Sequence, residues 1–74
     1  MNKERRKEIE KAKSLLVEAH SILETCLDEE QNYYDNMPES LQDGDKGQAA
    51  QEAGENLSGA AESVGEALEY LDNV

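Results

Sequence analysis

Ile9-Glu-Lys-Ala-Lys-Ser-Leu-Leu-Val-Glu-Ala-His-Ser-Ile-Leu-Glu-Thr-Cys-Leu-Asp-Glu-Glu-Gln-Asn-Tyr-Tyr-Asp-Asn-Met37 is the stretch whose reading decides the fold. Ile9, Ala12, Leu16, Ala19, Leu23, Cys26, Tyr33 and Met37 recur in alternating steps of three and four, with Glu30 as the one polar intrusion. Steps of that size keep a narrow seam on one side of an α-helix, the a and d positions of a heptad. A second run repeats the pattern: Ala50, Ala53, Leu57, Ala60, Val64, Ala67, Leu71 and Val74. Two long helices with matching seams, joined by a short segment holding the only proline, predict an all-α antiparallel two-helix hairpin. The expected bounds are a helix over 3–35, a loop over 36–45 and a helix over 46–73.

With 74 residues the chain is one domain, and a single hairpin has one thin seam to bury. There is no Trp, no Phe and only three Tyr, and alanine fills half of the inward positions of the second run. So little buried area predicts association, most simply a homodimer that completes a four-helix bundle. Leu15 and Ile22 stand seven residues apart at g positions beside the first seam and are read as the start of that outer contact surface. On the second helix Gly54, Ala61 and Leu68 share the e flank, where a partner helix is expected to approach closely.

Charge is unevenly placed. The formal net charge is -11. Residues 1–13 hold six bases against three acids, whereas fifteen acids and a single base, Lys46, follow from Ser14 onward. An acidic body of this kind is expected to avoid bare nucleic acid and anionic membranes; its first reading is a solubilising surface, and the alternative is attraction of basic or nucleic-acid-binding proteins. The bases at the start of the first helix oppose its macrodipole, and acids near the end of the second, Glu62, Glu66, Glu69 and Asp72, oppose theirs. Side-by-side placement of those two ends, as antiparallel topology requires, relieves both. The single cysteine, Cys26, excludes an internal disulfide. No apolar run approaches membrane length and no signal-like segment is evident, so the expected location is the cytoplasm. Asn56-Leu57-Ser58 is then a chance match to a glycosylation acceptor.

Asn2 is suited to cap the first helix, and no Gly or Pro interrupts the chain until Pro38. Pro38 disfavours helix at Met37, Asp43-Gly44 is a turn dipeptide, and Asp45 with Gln48 fits a capping box for the second helix. Leu41, apolar inside a polar loop, is expected to fold back on Tyr33, Tyr34 or Met37. Asp43, Asp45 and Gly47 suggest the start of a calcium loop, but Gln48 falls where that loop requires glycine and Gly54 where it requires a bidentate acid.

Tyr34-Asp-Asn36-Met37-Pro38-Glu-Ser-Leu41-Gln42, followed by Gly44-Asp-Lys-Gly47, resembles the inter-helix segment of a group of small acidic helical proteins met in bacterial and phage genomes. The flanking helices, rich in Glu, Ala and Leu, extend the likeness over the whole chain. The resemblance implies a helical hairpin of phage or prophage origin, with no settled activity attached. The glycines of the second helix depart from the group's pattern.

If each a position faces a d position, Ala12 lies against Leu71, Leu16 against Ala67, Ala19 against Val64, Leu23 against Ala60 and Cys26 against Leu57. Large then meets small in nearly every layer. Gly54, Gly59 and Gly65 each cost about 1 kcal/mol relative to Ala in a helix interior.

No enzyme constellation is visible. Glu55, Glu62 and Glu69 repeat every seven residues beside Glu66, an acidic face too solvated to tune a catalytic carboxylate. His20 lacks the companion ligands of a metal site, and no cofactor motif is present. The expected function is therefore a non-enzymatic protein-interaction module whose partners are a second copy and a host or neighbouring protein. The alternative is an acidic DNA mimic that inhibits a host nuclease, polymerase or anti-phage defence complex.

Overall fold

The computed structural model describes all 74 residues. Asn2 is extended, with φ -78 and ψ 166, and its Oδ1 accepts the Arg5 N–H at 2.7 Å. That bond satisfies one of the donors a helix start leaves open. From this cap α1 (Lys3–Asp35) runs through sequence that offers no proline or glycine to break it. It stops at Asn36, whose N–H still reaches the Asn32 carbonyl at 3.0 Å. Pro38 follows, and its carbonyl accepts the N–H groups of Leu41 at 2.8 Å and Gln42 at 3.1 Å, forming a single turn of helix, α2 (Glu39–Gln42). The third element, α3 (Asp45–Asp72), closes the chain.

Two local expectations change here. Asp45 is the first residue of α3 rather than its cap; Gly44 caps, and its carbonyl accepts the Gln48 N–H at 3.0 Å. Asp45 thus places its carboxylate at the positive end of the helix instead of bonding a free N–H. Leu41 stays 48% exposed, and Gln42 closes the tip in its place, donating from Nε2 to the Tyr34 carbonyl at 3.1 Å. The turn is held close because Gly47 has no side chain: a Cβ there would run into the backbone of Gln42. Gly47 is accordingly one of the three buried residues, with Ala50 and Ala61.

The molecule is all-helical and elongated, 58 × 14 × 13 Å, with α1 packed along α3. The helices run antiparallel. Lys13 Nζ meets Asp72 Oδ1 at 2.9 Å near one end, and Gln51 Nε2 donates to Tyr34 Oη at 3.1 Å near the other. Because Lys13 already pairs with Asp72, the start of α1 projects past the end of α3.

The register differs from the a-to-d pairing. Along α1 the half-buried positions are Ile9, Lys13, Leu16, His20, Leu23, Leu27, Glu30 and Tyr34, with Ala19 and Cys26 beside them, and Met37 continues the line just past the helix end. On α3 the buried Gly47, Ala50 and Ala61 alternate with the half-buried Gly54, Leu57, Val64, Leu68 and Leu71, with Ala53, Gly65 and Ala67 beside them. The seam therefore joins a and e positions, one residue on from the expected pairing, while Ala12, Tyr33 and Ala60 are exposed. In this register Lys13 reaches Asp72 and Tyr34 reaches Gln51 across the pair, and the small Ala50 and Ala61 take the buried positions of α3, where little bulk holds the helices apart.

No large side chain is fully buried. The chain exposes 5732 Å², against roughly 4,500 Å² for a compact monomer of its mass.

Candidate interaction surfaces

Antiparallel helices that both use a and e positions for their seam have their d flanks on the same side of the pair. The two long faces of this hairpin are consequently unlike. One carries the d and g positions: Ala12, Leu15, Ile22 and Tyr33 of α1, and Ala53, Ala60, Ala67 and Tyr70 of α3. Leu15 and Ile22 are each 57% exposed and Tyr70 78%. The other face carries both polar contacts between the helices, Lys13 with Asp72 and Gln51 with Tyr34.

That second face also holds an open groove of about 800 Å³ between Leu27, Tyr34 and Gly54, with Asp28, Glu30, Glu55 and Glu62 along it. Gly54 and Gly59 line it without side chains, and a Cβ at either would meet nothing within 4 Å. These two glycines have no steric role in the hairpin. Glu66 and Glu69 continue the acidic run past the groove toward Tyr70 and Asn73.

The expected outer surface is divided by the structure. Leu15 and Ile22 lie open on the d/g face. Ala61 is 4% exposed, and Gly54 and Leu68 share the chain's own seam with it, so the e flank of α3 faces α1 rather than outward. Of the loop residues, Asn36 and Pro38 are exposed, Leu41 is partly exposed, and Met37 is half-buried. Glu55, Glu62, Glu66 and Glu69 are all exposed. Tyr70 escaped the sequence reading, although its g position, in line with Ser63 and Asn56, marks it as a neighbour of the d strip.

Electrostatics at the open end are only partly balanced. Lys13 bonds Asp72 and lies 3.6 Å from Glu10. The hydrogen bond to Asp72 raises its pKa above the ordinary 10.5; desolvation opposes it, and the charges of Asp72 and Glu10 add to the rise. Lys3, Arg5, Arg6, Lys7 and Lys11 form no ion pair, although Glu4, Glu8 and Glu10 stand within a turn of them on the same helix. His20 Nε2 lies 3.5 Å from Glu24 Oε1, one turn along the same helix. Nowhere do three His, Cys, Asp or Glu side chains converge as ligands of a metal would. No helix is long and apolar enough to cross a membrane.

Comparison with known protein families, with curated proteins and with solved structures finds no match to this chain.

Proposed function

We propose that the chain is a non-enzymatic protein-interaction module, a hairpin that joins a second hairpin into a four-helix bundle and offers its acidic side to a basic partner protein. The observation that carries this reading is segregation of charge from apolar surface. All seven acids of α3 are exposed and none stands at a d or g position. One face is thus free to exclude water while the others stay charged. The excess exposed area supports association, since a chain that buries no large side chain gains little stability alone.

The test is affinity capture with the native chain and with a variant carrying Glu55→Gln, Glu62→Gln, Glu66→Gln and Glu69→Gln. A basic protein retained by the first at low salt and lost with the second is the expected result. Identical capture by both would refute a role for the acids.

A second reading is favoured by the number of those acids on one exposed helix. Seven carboxylates over the 28 residues of α3 average one per about 6 Å of helix axis, about half the linear charge density of a single DNA strand, which carries one per about 3.4 Å. A DNA mimic that blocks a nuclease, polymerase or defence complex would use that surface. Duplex DNA would then displace the chain from its captured partner, whereas a partner bound elsewhere would be indifferent to DNA.

A further inference from the structure

We propose that a second copy of this chain covers the d/g face, and that the two hairpins stack head to tail about a two-fold axis passing near Ile22 and Ala60. This rests on the interaction-module reading and names its first partner and the geometry of contact.

The face is made for exclusion of water. None of the nine d and g positions from Lys46 to Val74 is acidic, in a chain with 18 acids. On α1 Arg5, Glu8 and Glu29 interrupt it, and of the apolar residues between Glu8 and Glu29 the hairpin leaves Ala12, Leu15 and Ile22 exposed, with Ala19 and Cys26 half-buried. Its size is also suitable. A face of 58 × 14 Å projects to about 800 Å² on each copy, or about 1,600 Å² for the pair, the usual area of a stable complex. The same face on both copies makes a closed, self-complementary contact, and closure limits assembly to two.

Charge selects the second copy and its direction. At one end α1 projects past α3 with Lys3, Arg5, Arg6 and Lys7 free of ion pairs. At the other end the loop region carries Asp35, Glu39, Asp43 and Asp45 against the single base Lys46. Head-to-tail stacking lays each basic projection against the other copy's acidic loop. Stacking in the opposite sense buries the same face but sets one acidic loop on the other and leaves the projections without those partners. At the centre the arrangement brings Ala60, exposed in the single hairpin, close to the axis, where small side chains permit close approach of backbones.

Sedimentation equilibrium and zero-length carbodiimide cross-linking of the full chain test this. The expected result is a dimer at micromolar concentration with amide links from Lys3 or Lys7 to Asp35, Glu39 or Asp43. Within one hairpin those groups lie at opposite ends of a 58 Å rod, so such links must join two copies. Ala60→Glu, a charge at the centre of the face on a residue that the hairpin leaves exposed, is expected to weaken the dimer by about tenfold or more while helicity is kept. Ser14→Glu adds the same charge off the face and should leave the dimer intact. A dimer whose inter-copy links, read with isotope-mixed chains, run instead from Lys3 or Lys7 to Glu66 or Glu69 would overturn the head-to-tail arrangement. A monomer, or a dimer indifferent to Ala60→Glu, would overturn this face as the site of a second copy. A monomer would also remove the bundle from the proposed function, whereas docking of a basic partner on the acidic side falls separately, by its own capture experiment.

Discussion

Gly47→Ala should destabilise this protein, while Gly59→Ala, the same chemical change in the same helix, should stabilise it. In an unencumbered helix interior the added methyl is worth about 1 kcal/mol, because alanine loses less backbone freedom on folding than glycine. Gly59 is such a place, with nothing within 4 Å of the added carbon. At Gly47 the new Cβ would lie 2.6 Å from the Cα of Gln42 and closer still to its carbonyl group. These are backbone atoms of a one-turn helix tied down by the bond from Gln42 to the Tyr34 carbonyl, so no side-chain rotation relieves the contact. Restoring van der Waals distance means moving the turn by about 1 Å, and overpacking of this kind costs about 1–3 kcal/mol. Set against the propensity gain, the net loss for Gly47→Ala is up to about 2 kcal/mol. At the size of this chain each kcal/mol moves the melting midpoint by about 4–8 °C. Thermal unfolding followed by far-ultraviolet circular dichroism is the assay, at one fixed protein concentration because association shifts apparent stability. The two variants should move in opposite directions. Equal shifts would mean that α2 does not rest on Gly47 and that the turn is not packed as described.

Two further outcomes follow from single contacts. Asn2→Ala removes the acceptor of the Arg5 N–H and should lower stability by about 1 kcal/mol, with hydrogen exchange quickened first at the start of α1; unchanged exchange there would contradict the cap. The ion pair of Lys13 with Asp72 should matter at neutral pH and fade in alkali. Its pKa is raised in the folded state, so the stabilisation is complete below the ordinary 10.5 and is lost as pH rises through the folded value. Comparison of melting midpoints for the native chain and Asp72→Asn should therefore show a gap that narrows above that pH; a gap constant across the range would refute the coupling.

The two long helices were legible in the sequence because the signals that make them are local. Asn2 starts the first helix by capping its first turn, Pro38 removes a donor and constrains its neighbour, and heptad steps repeat every few residues. The charge asymmetry along the rod was legible for the same reason, as was the exposure of Glu55, Glu62, Glu66 and Glu69. The closure of the tip was less so: Leu41 looked like the residue to close it, and the structure uses Gln42 because a glycine at 47 admits its backbone.

What sequence alone determined, then, is two helices, the break between them and the apolar stripe on each. Which edge of that stripe turns inward was decided only by the tertiary structure. Ala60 and Ala61 are chemically identical neighbours, yet one is exposed and the other buried. The choice depends on contacts made between the two helices, among them Lys13 with Asp72 and Tyr34 with Gln51, which no single window of sequence contains. That rotation of about one residue moved Gly54, Ala61 and Leu68 into the hairpin and left the alanine edge, with Leu15 and Ile22, facing outward.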